Sequence, residues 1–126
     1  MLIGVDLVEI RRIENLAENP SFLDRVYTEQ ELQLVQEVSA ERRSEILAGR
    51  FAVKEAVAKA LGTGISGGIT FRDIETLRGK DGEPVVHLQG KARQIADTLG
   101  VSAVRVSLSH ASGLAIAYVL LECPSS

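Results

Sequence analysis

The sequence predicts an α+β fold in which a helical first half packs on a mainly antiparallel sheet. Two observations support this prediction. Residues 40–61 form an Ala-rich stretch followed by Gly62, as expected of one long helix closed by a residue that favours left-handed backbone. The second half instead contains apolar stretches separated by the turn pairs Asp81-Gly82 and Ser112-Gly113, a pattern typical of β-hairpins.

Size and composition are those of one ordinary domain. With 126 residues, 45% of them hydrophobic, the chain is long enough to bury a core, and we expect a single domain over residues 1–126. A net charge of -3 and a pI of about 5.4 argue against general nucleic-acid binding, which needs a basic face. The single cysteine, Cys123, excludes an internal disulfide and fits a reducing cytosol. No apolar run approaches the roughly 20 residues that cross a bilayer, and no basic leader is present, so we expect a cytoplasmic protein.

The first element is expected to be a short buried strand. Residues 2–5 are apolar, and Asp6 is placed where this strand ends. From Leu7 to Leu16 the spacing of the apolar residues is closer to that of a helix than to that of a strand.

Capping patterns mark the next three helix starts. Asn19 followed by Pro20 matches a cap and a proline at the first helical position. Thr28 and Glu31 match the capping box. The helix predicted there carries three apolar residues, Leu32, Val35 and Val38. Ser39 is expected to cap the long helix.

The second half is predicted to contain four strands and one short helix. The strands are expected within residues 69–77, 85–88, 104–110 and 114–121. Residues 92–99 show one apolar helical face and precede Gly100. Because residues 114–121 are apolar on both parities, we expect that strand at the centre of a sheet.

Glu55 and Lys59 are two charged residues of the predicted long helix that could bind a ligand. Four residues apart, they project from one stripe of an Ala-rich surface, where a carboxylate and an ammonium suit a metal and a phosphate. The same spacing is also the commonest surface salt bridge on a helix, worth about 0.3 to 0.5 kcal/mol. Residues 51–61 have few polar positions to face water, however, so these charges are expected at a partly buried boundary, where a carboxylate needs a partner.

Carboxylates are the side chains in this sequence that are best suited to bind a metal. The sequence contains no Gly-x-Ser-x-Gly elbow, no Walker loop and no zinc-type cluster, so a nucleophile would arrive with a substrate. Oxygen ligands suit Mg²⁺, and Asp6 with Glu55 would supply them, although Asp6 is equally suited to cap a helix. His110 ends a predicted strand on its inward parity, which suits a crevice or a structural histidine.

Three motifs occupy residues 4–10, 47–64 and 106–110. In this order and spacing they resemble the holo-acyl-carrier-protein synthases, the short bacterial type of 4'-phosphopantetheinyl transferase. Residues 71–75 and 82–84 also fall where that family has similar stretches, so the resemblance extends over essentially the whole chain.

The resemblance implies a reaction and a metal. Such enzymes move the phosphopantetheine arm of coenzyme A to a serine of apo acyl carrier protein and release adenosine 3',5'-bisphosphate. By position, Asp6 and Glu55 correspond to the family's magnesium ligands, and water and the coenzyme pyrophosphate complete the shell. Lys59 would reach a phosphate oxygen, which makes these three the expected catalytic residues. A magnesium-bound water is the favoured route for the serine proton, since a metal-bound Glu55 is a poor base.

The resemblance also assigns a coenzyme site and an assembly. Together with Lys59, four residues match positions at the coenzyme cleft: Lys54, Gly62, Gly64 and His110. Larger relatives carry a second acidic ligand where this chain has Val8. In the short type, three chains form a trimer with active sites between subunits. Leu114, Ile116 and Tyr118 would serve that interface, although core packing explains them equally well.

Arg12, Leu16 and Arg25 match the carrier-binding positions of the family. Carrier proteins are strongly acidic, so arginines there would steer and orient the partner. Asn19 and Ser21 stand where some relatives have further arginines, which predicts weaker docking. The alternative is that all three are ordinary solvated residues.

Two other functions remain open from the sequence. A magnesium-dependent phosphohydrolase of coenzyme A or a nucleotide would use the same residues with water as the nucleophile. A non-enzymatic trimer would bind coenzyme A or the carrier as a regulator.

Overall fold

The computed structural model describes residues 1–124 as an α+β fold, which confirms the predicted class. Ser125 and Ser126, the last two residues of the predicted domain, lie outside the described residues. In chain order the elements are β1 (Leu2–Glu9), α1 (Ile10–Leu16), α2 (Pro20–Val26), α3 (Glu29–Gln33), α4 (Ala40–Ala60), a 3-10 turn (Phe71–Asp73), β2 (Ile74–Arg78), β3 (Pro84–Leu88), α5 (Gly90–Thr98), β4 (Ala103–Ala111) and β5 (Leu114–Glu122).

The strands form two antiparallel sheets. The larger has the order β1-β5-β4, so the strand that is apolar on both parities is central, as predicted. The smaller is the β2-β3 hairpin. Ser112 and Gly113 join β4 to β5 with φ of 53° and 78°, the left-handed conformations that a tight hairpin turn needs.

Helix α4 is the core of the molecule. From Ile46 to Ala60 every residue except Glu55 and Lys59 is buried, and the helix packs against the inner faces of β1 and β5. Gly4 makes the approach of β1 possible, because a Cβ at this position would overlap the carbonyl of Ala56 and lie 3.1 Å from the Cβ of Ala60. The lack of a side chain at Gly4 therefore brings the backbone of β1 onto α4.

The predicted caps are confirmed. Asn19 Oδ1 accepts a hydrogen bond from Ser21 N at 2.9 Å, and Ser39 Oγ accepts one from Arg42 N at 3.1 Å. Thr28 and Glu31 form both hydrogen bonds of the capping box. The long helix ends at Ala60, and Gly62 follows with φ of 89°.

Three predicted boundaries are wrong. Strand β1 continues to Glu9, so Asp6 lies in its middle, because Leu7 and Val8 pair with β5 instead of starting a helix. Helix α3 ends at Gln33 without reaching Val35 and Val38, since its last hydrogen bonds tighten into a turn. Residues 71–73 form a 3-10 turn, so β2 begins only at Ile74.

Strand β1 is also less buried than predicted. Its side chains alternate between the α4 face and an outer face on which Ile3, Val5 and Leu7 are more than half exposed. Within residues 1–124, no helix combines the length and hydropathy needed to span a membrane.

Candidate active site

Asp6, Glu55 and Lys59 come together where β1 crosses α4. Asp6 shares the α4-facing side of β1 with Gly4 and Val8, as the alternation of a strand requires. Lys59 Nζ donates to Asp6 Oδ1 at 2.8 Å and to the Val5 carbonyl at 3.3 Å. The Asp6 side chain is 14% exposed and that of Lys59 52%, so this ion pair lies at the boundary between core and solvent.

Lys59 therefore takes its partner from the strand and not from its own helix. The salt bridge that its spacing with Glu55 permits is not the one formed, because Asp6 approaches the Lys59 ammonium more closely. The hydrogen bond to Asp6 raises the pKa of Lys59. Partial burial raises the pKa of Glu55, and the nearby charge of Asp6 raises it further, while Lys59 and Arg12 oppose both effects.

The two carboxylates fit a divalent cation that prefers oxygen. Besides burial, the charge of Asp6 raises the Glu55 pKa, and a cation between the two carboxylates would offset their repulsion. No cluster of three or more metal-ligating side chains occurs within residues 1–124. Val8, 4% exposed, fills the next inward position of β1 after Asp6. A metal here would have two protein ligands, which suits Mg²⁺ because it keeps water and substrate oxygens in its shell.

A glycine-containing loop follows Lys59 directly. Gly62 and Gly64 have positive φ, and space is open around both α-carbons. The amide of Gly62 donates to the Lys59 carbonyl at 2.9 Å, and that of Gly64 donates to the Ala58 carbonyl at 3.0 Å. These bonds pair two of the carbonyls that the last turn of α4 leaves without partners inside the helix.

Lys54 does not lie where the sequence led us to expect it. Its side chain is fully buried, and its ammonium donates to Glu31 Oε1 at 2.8 Å and to the carbonyls of Phe71 and Ile74. Burial lowers the Lys54 pKa, which the charge of Glu31 opposes. The predicted place in a coenzyme cleft does not fit this geometry, because all three ammonium protons have acceptors inside the chain.

Glu31 is the residue that sequence reasoning missed. Besides Lys54, its carboxylate accepts hydrogen bonds from the amides of Thr28 at 3.0 Å and Thr76 at 2.9 Å. The capping box identified Glu31 as a residue of a helix start. Its ion pair with Lys54, 23 residues away, could not be predicted from any local sequence pattern. This single side chain ties α3 to both α4 and β2.

His110 lines a groove beside the first half of α4. Its Nδ1 lies 3.7 Å from Glu45 Oε2, and Arg42 and Arg50 line the same groove. Arg50 is almost fully buried, and its Nε has no hydrogen-bond partner within the described part of the chain. Glu45 precedes Glu55 by ten residues, or about 15 Å along the helix. One chain therefore does not bring His110 to the Asp6 cluster.

Arg12, Leu16 and Arg25 lie on the outer surface of α1 and α2, and all three are exposed. The Arg12 guanidinium lies 5.7 Å from the centroid of the Phe51 ring, and its charge lowers the Glu55 pKa. Arg12 and Leu16 line one shallow groove. The exposed face of α1 thus begins next to the carboxylate cluster.

The chain is similar to known proteins in both sequence and structure. A family model described as the 4'-phosphopantetheinyl transferase superfamily matches residues 2–119. A holo-[acyl-carrier-protein] synthase of Geobacillus sp. (strain WCH70) is 44% identical over 121 residues, which is 95% of this chain and 94% of that protein.

Two solved structures of such synthases are also similar to this chain. The Bacillus anthracis str. Ames enzyme, in complex with CoA (3',5'-ADP), has a TM-score of 0.82 at 35% identity, covering 98% of this chain and 96% of that one. The Helicobacter pylori enzyme, in complex with coenzyme A, has a TM-score of 0.82 at 32% identity, covering 96% of this chain and all of that one, 100%.

Proposed function

The chain belongs to the 4'-phosphopantetheinyl transferase superfamily, and from this membership we propose that it transfers the 4'-phosphopantetheine arm of coenzyme A to a serine of apo acyl carrier protein. The products are holo acyl carrier protein and adenosine 3',5'-bisphosphate. The observation that carries the proposal is the meeting of Asp6, Glu55 and Lys59 at the crossing of β1 and α4. Fatty acid biosynthesis would use the holo carrier protein. The cytoplasmic location of this protein stays a prediction from its sequence.

The reaction exchanges a phosphoanhydride bond for a phosphate ester bond. The serine oxygen of the carrier forms a bond to the phosphorus that bears the pantetheine arm, and the bond from this phosphorus to the bridging pyrophosphate oxygen breaks. The serine proton passes to water, and adenosine 3',5'-bisphosphate leaves with the electron pair of the broken bond. The protein therefore needs no nucleophile of its own, in keeping with the absence of nucleophile motifs from the sequence.

Each residue of the cluster has one task in this proposal. Asp6 and Glu55 would hold Mg²⁺, which would supply positive charge close to the leaving phosphate. Lys59 binds a phosphate oxygen with an ammonium that is half exposed and adjacent to both carboxylates. We assign Glu55 to metal binding and not to direct proton removal, because a carboxylate held by a cation is a poor base.

The coenzyme site is proposed to need two subunits. Lys59, Gly62 and Gly64 would bind the coenzyme from the end of α4, and His110 would bind it from a groove at Glu45, about 21 Å from Lys59 along that helix. A subunit that places its own His110 beside the Asp6 cluster of a neighbour would close this gap.

An exposed apolar face of the larger sheet supports such an assembly. Ile3, Val5 and Leu7 of β1 lie next to Ile116 and Tyr118 of β5, and all five are exposed. Monomeric proteins rarely leave so continuous an apolar patch in water. We propose that this face packs in a homotrimer, as the sequence resemblance implies. Leu114 is only partly exposed and lies at the turn end of the same strand.

The carrier is proposed to dock on α1 and α2. Arg12 and Arg25 offer positive charge to an acidic partner, and Leu16 offers an apolar contact in the same groove as Arg12. Charge complementarity of this kind raises the association rate and fixes orientation. Because Arg12 also lies near Glu55, a partner held there would present its serine close to the carboxylates.

Release of adenosine 3',5'-bisphosphate tests the proposal against hydrolysis. The protein is incubated with coenzyme A and Mg²⁺, together with apo carrier, a carrier whose acceptor serine is replaced by alanine, or no carrier. We expect release with the apo carrier alone. Equal release in all three mixtures would identify a phosphohydrolase, and binding without release would identify the non-enzymatic alternative.

A further inference from the structure

The Lys59 ammonium is hydrogen-bonded to an oxygen of the Asp6 carboxylate, the group that would bind Mg²⁺ in the proposed function. The ammonium lies 2.8 Å from Asp6 Oδ1 and 3.3 Å from the Val5 carbonyl. The Asp6 carboxylate is mostly enclosed by the protein, so only a limited part of its surface accepts a cation. The Lys59 side chain, by contrast, is half exposed and ends a flexible four-carbon stem, so it is free to change partners.

We propose that Lys59 couples the binding of Mg²⁺ to the binding of coenzyme A, because its ammonium competes with the metal for Asp6 until a coenzyme phosphate gives it another partner. This inference rests on the proposed function, since it takes Asp6 and Glu55 as metal ligands. It adds a role that phosphate binding alone does not give Lys59. The lysine makes the binding of the metal and the binding of the coenzyme cooperative.

The physical reason is the sharing of one anionic group by two cations. A divalent cation on Asp6 and an ammonium on the same carboxylate repel each other at short range, and partial burial weakens the screening by water. Without a phosphate, the metal must displace Lys59 or bind beside it, and both cases lower the affinity of the protein for the metal. A pyrophosphate supplies oxygens for both cations. By linkage, the coenzyme and the metal then raise each other's affinity by the same factor.

Arg12 provides the matched control for charge alone. Both Arg12 and Lys59 lower the Glu55 pKa, so removing either one takes a positive charge away from the carboxylates. The Arg12 guanidinium, however, lies against the Phe51 ring, whereas the ammonium of Lys59 touches Asp6. A direct competitor and a distant charge are therefore distinguishable by substitution.

The test is the binding of Mn²⁺, followed by electron paramagnetic resonance, to the parent protein and to the Lys59→Met and Arg12→Met variants. In the absence of coenzyme A, we expect Lys59→Met to bind Mn²⁺ about fivefold more tightly than the parent, the upper range for loss of one ion pair. Arg12→Met is expected to change the affinity by less than about twofold. Coenzyme A should tighten Mn²⁺ binding to the parent much more than to Lys59→Met, after correction for Mn²⁺ bound by free coenzyme.

Equal or weaker Mn²⁺ binding by Lys59→Met would overturn the competition. So would an equal effect of coenzyme A on the parent and on this variant. Phosphopantetheine transfer, measured on the same parent preparation, tells these results apart from failure of the proposed function. If the parent transfers the arm but Lys59→Met shows no gain in Mn²⁺ affinity, the proposed function stands and the proposed coupling is wrong. Unchanged Mn²⁺ binding by Asp6→Asn would overturn the metal assignment and the coupling together.

Discussion

Gly4 and Ala56 bring β1 and α4 together, because any Cβ at position 4 would overlap the Ala56 carbonyl. The contact is flanked on both sides by the candidate site. Asp6 lies two residues along the strand from Gly4, and Glu55 precedes Ala56 on the helix. The distance between the carboxylates therefore depends on a residue that has no side chain.

Gly4→Ala is expected to separate the strand from the helix. Overpacking of a buried contact costs about 1 to 3 kcal/mol, and the clash here is with backbone, which moves less easily than a side chain. We expect a lower free energy of unfolding in urea and a large loss of transferase activity. Gly49→Ala is the control for stability, because its Cβ would meet Leu108 at an ordinary 3.6 Å. A Gly4→Ala protein as stable as the Gly49→Ala protein would contradict this role.

The Glu31–Lys54 pair is expected to stabilise the fold from inside. Removing one partner of a buried ion pair costs about 3 to 5 kcal/mol, so Lys54→Met should be strongly destabilised, since the Glu31 carboxylate stays buried. Lys54→Met combined with Glu31→Gln should recover part of that loss, as measured by a double-mutant cycle in urea. At the exposed pair of Arg42 and Glu45, Arg42→Met should cost less than about 1 kcal/mol. Equal costs at the two pairs would argue against a buried structural role.

The Glu55 carboxyl is expected to make stability depend on pH. Its pKa in the folded protein is raised from 4.5, so folding favours the protonated form. The stability that this form contributes is present below the pKa of the unfolded chain and is lost as pH rises through the folded value. With a chelator at pH 7, Glu55→Gln should therefore melt at a higher temperature than the parent.

That difference in melting temperature should shrink on acidification and vanish below the unfolded pKa. Mg²⁺ should raise the melting temperature of the parent at pH 7 but not that of Glu55→Gln, since the metal binds the ionised carboxylate. A difference in melting temperature that widens as pH falls would contradict a raised Glu55 pKa in the folded protein.

Features with local causes were predictable from the sequence. The caps at Asn19, Thr28 and Ser39 depend on side chains within three residues of the helix start, and all were confirmed. The Ser112-Gly113 turn likewise follows from the two residues themselves. In the site, the helical spacing of Glu55 and Lys59 required no tertiary knowledge.

Features set by distant pairing were not predictable in the same way. Asp6 lies inside β1 because it pairs with Ala117, 111 positions away, and the strand gains more from that ladder than from an early helix. Lys54 is buried because Glu31 and two carbonyls from the second half surround it. No short window of sequence contains either partnership.

The outer face of the larger sheet is expected to hold the trimer together. Val5 and Tyr118 lie opposite each other across β1 and β5, and each is about half exposed. Val5→Glu would place a charge in the middle of the apolar face, so we expect analytical ultracentrifugation to show a trimer for the parent and monomers for the variant. Activity should fall with the trimer, because the proposed site uses two subunits.

Gln94→Glu is the control for adding the same charge elsewhere, since Gln94 is exposed on α5. It should sediment like the parent. An intact trimer in Val5→Glu, or a fully active monomeric parent, would show that this face is not the interface.

The mass of the carrier protein is the most direct test of the proposed function. After incubation with this protein, coenzyme A and Mg²⁺, apo acyl carrier protein should gain the mass of one phosphopantetheine arm. A chelator, Asp6→Asn and Glu55→Gln should each abolish the gain, whereas Glu37→Gln, at an exposed position outside the site, should keep it. No gain with several apo carriers, or a full gain with Asp6→Asn and Glu55→Gln, would contradict the account.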